Sequence, residues 1–311
     1  MRLARRALAV PLLAAGLVAG LAAPACHGGP CDEWQDAEPV DLGVGDDLYA
    51  VAALDDHFFA VGAGGTIVES RAGVVSVHRP VTSELRAVAV VDERVVAVGD
   101  RGTLVRRDLD GGADWQVIDL GLAANLHAIA DDGAITVVAG DDVVLVHDRD
   151  TDAWSEAPPP GPGWGALRVA SVGGGSYHVF GLAGAAWTAL VDPRDPWEEI
   201  DVATDADLLA GTDEFVFGTG GTILGLSLQG TWSAEQLADG APRPDYIAAA
   251  GRATALSADG RVFTYGVELV EEFGLGDGVT AIFTTDDGDG GTVLLAVGLG
   301  GRAVRRRYEA C

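Results

Sequence analysis

The chain has 311 residues, which is long for one ordinary domain but normal for one large all-β ring, and its 44 glycines and 13 prolines favour short strands and tight turns. Its 47 acidic residues outnumber its 20 basic ones and give a formal charge of −27 at pH 7, so we expect a surface that repels nucleic acid and anionic lipid. All the basic residues are arginine, and the absence of lysine excludes a Walker-type phosphate loop and Schiff-base chemistry, because both need that side chain.

The first 25 residues have the pattern of a secretion signal. They begin with three arginines, continue with a nearly uninterrupted apolar run over residues 7–22, and end at Ala23-Pro24-Ala25, which offers a small-residue cleavage site. Proline and glycine interrupt the apolar run, and no other segment approaches the length that spans a membrane. We therefore expect export of the protein, with a retained membrane anchor as the alternative.

Cys26 follows this segment directly, and residues 21–26 resemble the cleavage box of a bacterial lipoprotein. We expect lipid on Cys26 to attach the protein to the cell envelope through several acyl chains, since one chain alone holds weakly to a bilayer. A freely periplasmic or secreted protein is the alternative. Residues 26–33 would then be a short tether in front of one domain that spans residues 34–311.

Residues 85–120 show the unit from which this domain is built. Turns that carry Asp, Gly or Arg divide the unit into four strands, predicted at Leu85–Val91, Val95–Gly99, Thr103–Arg107 and Trp115–Leu120. The first three strands are almost continuously apolar, which is typical of a sheet that is packed on both faces by neighbouring sheets.

The unit recurs about every 40 residues along the chain. Its first apolar residue, the anchor, recurs at Leu48, Leu85, Leu126 and Leu167, and more loosely near Leu208, Ile247 and Val279. The glycine of the turn after the second strand recurs at Gly65, Gly102, Gly184, Gly221, Gly260 and Gly301, and Val143 takes its place once. Seven units of four strands predict an all-β fold, a seven-bladed β-propeller; the alternative, a solenoid, would need capping repeats, and nothing in the sequence resembles one.

The two ends of the domain indicate how the ring closes. Trp34–Leu42 resembles a fourth strand without its first three, whereas the last unit, residues 279–307, stops before its fourth strand. We expect the N-terminal strand to complete the last blade and remove an open sheet edge. Cys31 and Cys311 map to the turn where that blade is interrupted, so we predict a disulfide between them that locks the ring. The alternative pairing, Cys26 with Cys31, would leave Cys311 free.

The turn sequences resemble those of the photosystem II assembly factor type of propeller, a group related to the Asp-box repeats of sialidases. The best matches are the Ala-Val-Gly-x-x-Gly-Thr segments that begin at Ala60 and Ala97, and the Asp-Gly-Gly-x-x-Trp segment of residues 110–115, where alone the Asp-box is complete. The resemblance covers about residues 34–311. It implies a non-enzymatic propeller that binds protein partners, but these turn motifs carry over no functional residue.

Residues that could bind a metal or a cofactor are sparse. The six histidines show neither a His-Glu-x-x-His pair nor paired ligand spacing, so the sequence predicts no zinc site and no cofactor. The loop Asp286–Asp289 carries three carboxylates that could gather calcium, and the alternative is a solvated hairpin loop. The glycine-rich strings recur with the repeat and precede strands, so they indicate turns and not phosphate cradles.

The repeat predicts one candidate binding site. The residue after each anchor lies at the start of an innermost strand, near the mouth of the central channel, where propellers commonly bind ligands. These side chains would form a mixed basic and aromatic rim within an acidic molecule; the alternative is a set of unrelated, solvent-exposed strand starts. The predicted rim residues are Tyr49, Arg86, His127 and Arg168, with Tyr246 and Thr280 by looser alignment.

Two functional hypotheses follow. The first is an exported, non-enzymatic and monomeric binding or assembly module that presents a propeller face to a protein or a glycan. The second is a secreted carbohydrate-active hydrolase, similar to a sialidase, although the sequence shows no Arg-Ile-Pro-like start motif and its arginines are scattered. Two carboxylates clustered with Arg86, His127 and Arg168 would favour the hydrolase. A flat rim without buried titratable groups would favour the binding module.

Overall fold

The structure is a computed structural model that describes residues 33–309 apart from short gaps at 55–56, 92, 110–113, 160–163, 228, 252, 267–268 and 287–290. Every regular element in these residues is a β-strand or a short 3-10 turn. None of the described segments is a helix of the length and apolarity needed to cross a bilayer. The predicted signal segment, Cys26, Cys31, Cys311 and residues 287–289 of the acidic loop lie outside the described residues, so the expectations about them stay predictions.

Seven antiparallel sheets form the blades of a seven-bladed β-propeller. In blades 1 to 6, four consecutive strands pair in chain order from the innermost strand to the outermost. The first strand of each blade contacts the first strands of both neighbouring blades, and the first strand of blade 7 contacts that of blade 1, which closes the ring. The predicted fold class is confirmed.

Blade 1 consists of β3 Leu48–Leu54, β4 His57–Gly62, β5 Ile67–Arg71 and β6 Val74–His78. Blade 2 consists of β7 Leu85–Val91, β8 Arg94–Gly99, β9 Leu104–Asp108 and β10 Gln116–Ile118. Blade 3 consists of β11 Leu126–Asp131, β12 Ile135–Gly140, β13 Val143–Asp148 and β14 Ala153–Glu156.

Blade 4 consists of β15 Leu167–Gly173, β16 Ser176–Gly181, β17 Ala186–Leu190 and β18 Glu198–Glu199. Blade 5 consists of β19 Leu208–Gly211, β20 Phe215–Gly218, β21 Ile223–Leu226 and β22 Trp232–Ala234. Blade 6 consists of β23 Tyr246–Ala250, β24 Thr254–Ser257, β25 Arg261–Tyr265 and β26 Leu269–Gly274.

Blade 7 joins the two ends of the described chain. Its three inner strands are β27 Val279–Asp286, β28 Thr292–Gly298 and β29 Ala303–Glu309. Its outer strand is made of two short N-terminal pieces, β1 Glu33–Trp34 and β2 Glu38–Pro39, and both pair with β29. The predicted closure of the last blade by the N-terminal strand is confirmed.

The unit predicted from residues 85–120 agrees with blade 2 to within one residue in its first three strands, and its fourth strand is shorter. One turn of the repeat differs from the prediction. In blade 3, Gly140 pairs directly with Val143 across a two-residue turn, so Val143 begins β13 and does not take the place of the turn glycine.

The core lies between neighbouring blades, because each inner strand contributes side chains to both of its faces. Between blades 1 and 2, Phe59, Val61 and Ile67 pack against Leu85 and Val95, and all five side chains are fully buried. Burying a side chain of this size contributes roughly 1.5–3 kcal/mol. Burial on both faces is why the inner strands are apolar without alternation, as the sequence predicts.

The turns between second and third strands bring neighbouring blades close together. In blade 1, Gly65 has a φ of +72°, and a Cβ built there would lie 2.1 Å from the carbonyl oxygen of Val81. Its neighbour Gly64 has a φ of +61°, but a Cβ there would meet no atom within 4 Å. Arg101 and Ala183 occupy the place of Gly64 in blades 2 and 4. Close approach therefore requires glycine only at the second position.

A side chain that precedes a first strand can fasten its blade to the preceding one. Asp207 accepts the backbone N–H of Ala183 in the turn of blade 4 at 3.0 Å. Asp47 accepts that of Gly300 in the turn of blade 7 at 2.7 Å, so the same contact crosses the seam between the last and first blades. These hydrogen bonds lie on the face of the ring on which the first strands begin. We call it the rim face, and the other side the opposite face.

Candidate functional site

A β-bulge at the start of each first strand creates the candidate site. In blade 1, Leu48 pairs with Gly62 and Ala50 pairs with Val61, so the pairing skips Tyr49. A bulge bends its strand and re-aims a side chain. The same skip occurs in every blade, and the bulge residues are Tyr49, Arg86, His127, Arg168, Leu209, Ile247 and Thr280.

Six of these side chains, all except Ile247, line a cavity of about 490 Å³ at the mouth of the central channel, together with Asn125 and Asp141. We call the six residues the rim. Beneath the rim, the channel holds a space of about 210 Å³, which we call the well. Many of the side chains that line the well are small and apolar, among them Ala50, Ala87, Ala128, Ala170, Ala248 and Ala281.

The structure brings together five of the six predicted rim residues: Tyr49, Arg86, His127, Arg168 and Thr280. Thr280 uses its hydroxyl proton within the fold, because that proton is shared between the carbonyl oxygens of Leu48 and Val297.

The placement of Tyr246 at the rim is wrong. Its side chain is fully buried and packs edge-to-face against Phe217 and Phe263, with ring centroids 5.4 and 5.9 Å away. In blade 6 the tyrosine is itself the anchor, because Tyr246 pairs with Ser257 directly before the bulge. The bulge position of blade 6 falls on Ile247, which lines the well but not the cavity at the rim.

His127 and Arg168 share one carboxylate. One oxygen of Asp141 lies 3.1 Å from His127 Nε2 and 2.9 Å from Arg168 Nη1, and Asn125 donates to the other oxygen at 3.1 Å. Burial alone would raise the pKa of Asp141, but the hydrogen bond from Arg168 and the proximity of His127 outweigh it and lower that pKa. Burial and the charge of Arg168 lower the pKa of His127, so its imidazole is neutral at pH 7.

Arg86 is held by two carboxylates of its own blade. Its guanidinium donates to both oxygens of Asp100 and, at 2.9 Å, to Glu84, and the hydrogen bond to Asp100 raises the pKa of Arg86. Its Cζ lies 6.0 Å from the ring centroid of Tyr49, within the range of a cation–π attraction. Burial raises the pKa of Tyr49, so the phenol keeps its proton at neutral pH.

The rim offers hydrogen-bond donors to a ligand. The side chains of Arg86 and Arg168 are 35% and 27% exposed, so a ligand in the cavity can reach both guanidinium groups. The Tyr49 phenol adds a further donor. Within the part of the chain that the structure describes, no group of three His, Cys, Asp or Glu side chains is arranged to hold a metal ion. The arrangement can bind a polar ligand whose apolar part enters the well.

Sequence reasoning missed the carboxylates of the site, although the repeat contained a signal for them. Asp100 and Asp141 both follow the glycine that ends the second strand of their blade, and Glu84 directly precedes its anchor. Each acid therefore has a fixed place in the repeat, close to the bulge residue of the same blade.

A second group of titratable side chains is buried between blades 1 and 2. Glu69 lies 2.8 Å from His57 Nε2 and 3.1 Å from His78 Nε2, and Arg107 Nη2 lies 2.7 Å away. Arg107 is 7% exposed and lies 4.8 Å from the ring centroid of Trp115. Burial alone would raise the pKa of Glu69, but the hydrogen bonds from Arg107 and both histidines hold it at about 2. None of these residues lines the rim or the well, so we assign the group to stability.

Comparison with solved structures places the chain among known propellers. The structure of YCF48 bound to D1 peptide matches with a TM-score of 0.65 and 15% identity, over 91% of this chain and 99% of that one. The WD40 β-propeller domain of Doa1 matches with a TM-score of 0.65 and 13% identity, over 89% of this chain and 97% of that one. U3-55K matches with a TM-score of 0.65 and 11% identity, over 87% of this chain and 98% of that one. Identities this low show a common fold alone. No family model and no curated protein matches the chain, so the Asp-box relationship stays a prediction.

Proposed function

We propose that the chain is a non-enzymatic binding module that holds a protein partner against its rim face. The observation that carries the proposal is the convergence of six bulge side chains on one open cavity of about 490 Å³ above an apolar well. A ring of packed blades presents these side chains in fixed positions, so little freedom is lost on binding. YCF48, which shares the fold, has been solved bound to a peptide.

The partner segment should bring hydrogen-bond acceptors to the rim and a small apolar side chain to the well. Arg86 and Arg168 supply the charged donors, and the alanines below accept an apolar group. The carboxylates of Glu84, Asp100 and Asp141, with a chain charge of −27, disfavour a polyanion such as nucleic acid. A glycan is the alternative occupant, since donors of this kind also bind hydroxyl-rich ligands.

We also propose that the protein acts outside the bacterial cytoplasm. The support is the pattern of residues 1–25 and the cysteine that follows it. The intact mass of protein purified from its native membrane tests this: lipid should add to Cys26 as the new first residue. An unmodified Cys26 at the N-terminus would reject the lipoprotein and leave secretion, whereas an uncleaved chain would reject both.

Capture of partners from the native envelope, with the wild-type protein as bait, tests the binding function. The double variant Arg86→Ala, Arg168→Ala should abolish capture and lower the free energy of unfolding only modestly, because partly exposed ion pairs of this kind typically contribute about 1 kcal/mol or less. Arg194→Ala with Arg305→Ala is the matched control, since those side chains are 44% and 55% exposed and do not line the cavity. Capture by the rim variant at the wild-type level would contradict the proposal.

Protease treatment of the envelope extract separates the two kinds of partner. Loss of capture after proteolysis identifies a protein, whereas capture that resists proteolysis and is lost after glycan removal identifies the alternative.

A glycoside hydrolase is the second candidate, because the structure does place carboxylates beside Arg86, His127 and Arg168, and part of the rim is buried. The chemistry of the site argues against it. A general acid needs a carboxyl group of raised pKa, whereas that of Asp141 is lowered, and burial raises the pKa of Tyr49 where a nucleophile needs activation. Turnover of a chromogenic sialoside or glycoside by the wild type, lost in Asp141→Asn, would replace our proposal.

A further inference from the structure

A cavity of about 150 Å³ lies between blades 2 and 3 and shares no lining residue with the rim or the well. We call it the interblade cavity. Arg94, which lines it, begins β8 directly after the hairpin at the end of β7, and Arg149 follows the end of β13. Both positions lie at the end of their blades away from the rim. The interblade cavity is therefore a feature of the opposite face.

The walls of this cavity concentrate positive charge in an acidic protein. The chain has 20 basic residues against 47 acidic ones, yet three arginines line this one space. The histidine beside them, His147, adds no charge at pH 7, because burial lowers its pKa. No carboxylate is among its described lining residues. The side chains of Arg106 and Arg149 are only 17% and 16% exposed, and that of His147 is 5% exposed. Charge interactions in such a partly dry space are stronger than at a free surface.

Carboxylates behind the walls hold these side chains in place. Asp152 is 51% exposed, accepts hydrogen bonds from both terminal nitrogens of Arg106 at 2.6 and 2.9 Å, and lies 3.1 Å from His147 Nε2. Asp131 accepts a hydrogen bond from Arg149 at 2.5 Å. The cationic groups are thus positioned before any ligand arrives, which favours binding.

One further donor in the walls has no acceptor among the described residues. Arg94 donates through Nε to Asp108 at 2.7 Å, and its Nη1 lies 3.6 Å from Asp152, which leaves Nη2 without a hydrogen bond there. Val91 and Val96 add an apolar wall. A ligand that matches these walls carries an anionic group that only accepts hydrogen bonds and a short apolar part.

We propose that the interblade cavity binds a small organic carboxylate. Its oxygens would face the guanidinium group of Arg94, and its carbon chain would face Val91 and Val96. The cavity volume of about 150 Å³ leaves room for a carboxylate with a short carbon chain. The inference does not depend on the proposed function, because no rim residue takes part.

Calorimetric titration of the full chain with sodium propionate, at pH 7 and constant ionic strength, tests this site. We expect saturable binding of one propionate with a dissociation constant of about 1 mM or tighter. Arg94→Gln should weaken binding about tenfold, which corresponds to the loss of one charge-assisted hydrogen bond. Val91→Phe, which fills the space without removing a charge, should abolish binding. Sodium chloride should give no saturable heat.

Arg86→Gln is the matched control, since its side chain is 35% exposed against 32% for Arg94 and lies at the rim. It should bind propionate as the wild type does. No saturable heat up to about 50 mM propionate, which exceeds the expected dissociation constant well over tenfold, would overturn the proposal. Equal weakening in Arg86→Gln would do the same, as would undiminished binding by Arg94→Gln. Thermal midpoints identify any variant that fails to fold, and Arg94→Gln decides alone if Val91→Phe unfolds. Partner capture by the rim is a separate readout and can fail independently.

Discussion

Replacing Glu69 by glutamine should destabilise the propeller more than removing a charge from its surface. Glu69 is 17% exposed and is the shared acceptor for His57, His78 and Arg107. Glutamine keeps the shape of the side chain but removes the negative charge that offsets the buried guanidinium of Arg107. The variant would leave that guanidinium without its counter-charge between blades 1 and 2.

The pKa of Glu69 gives the magnitude of this effect. The carboxyl group titrates at about 2 in the folded protein and at 4.5 in an unfolded chain. This difference corresponds to about 3 kcal/mol in the free energy of unfolding at pH 7. Buried ion pairs that lose one partner show losses of about 3–5 kcal/mol, which agrees. We therefore expect Glu69→Gln to lower the free energy of unfolding by about 3 kcal/mol at pH 7.

The effect should depend on pH with a definite sign. Because the pKa of Glu69 is lower in the folded protein than in the unfolded chain, its ionised form stabilises the fold fully above pH 4.5. That stabilisation is lost as the pH falls toward 2. At pH 3 the difference between wild type and variant should shrink to about 1.4 kcal/mol.

Urea unfolding followed by tryptophan fluorescence at pH 7 and pH 3 measures both quantities. Glu271→Gln is the matched control, because Glu271 pairs with Arg261 through a side chain that is 43% exposed. Its loss should stay below about 1 kcal/mol, as for other surface ion pairs. A loss below about 1 kcal/mol for Glu69→Gln, or a loss that does not shrink at pH 3, would refute the reasoning.

Three further predictions concern the fold. Burial lowers the pKa of His178 from 6.5 to about 4, so the folded protein should lose up to about 3 kcal/mol as the pH falls from 6.5 to 4. His178→Phe should remove this loss from the dependence of the free energy of unfolding on pH. The same pH dependence in wild type and variant would contradict the prediction. Gly65→Ala should cost about 1–3 kcal/mol more than Gly64→Ala, because only the first adds a Cβ against a carbonyl oxygen; equal thermal midpoints would show that the turn can move. The sequence predicts a disulfide between Cys31 and Cys311, because both map to the turn at which the last unit is interrupted. We therefore expect one peptide species from both ends on non-reducing mapping, and about 5 kcal/mol lost in Cys31→Ser by the chain-entropy model; separate peptides would exclude the bond.

The repeat made the architecture predictable from the sequence. Each blade is a local unit, and seven copies of the anchor with six copies of the turn glycine reveal a period that one copy alone would hide. The strands of blade 2 agree within one residue in three of four cases, and the N-terminal strand pairs where the interrupted last unit requires it. Blade 6 shows where the repeat misleads a prediction from the sequence. Tyr246 fills the anchor place that leucine or valine holds in the other blades, so the bulge position falls on Ile247.

The partners of the charged side chains were decided by the tertiary structure. The contact of Arg168 with Asp141 joins two blades, as does that of Glu69 with Arg107, and the members of each pair lie 27 and 38 residues apart in the sequence. Hydrophobic periodicity specifies which face of a strand is buried, but it does not specify which acid on the next blade meets which arginine. The interblade cavity has the same origin, because its arginines come from β8, β9 and the end of β13. Strand pairing within a blade is local and repeats in the sequence, whereas contacts between blades depend on how neighbouring sheets stack, and the repeat does not specify that stacking.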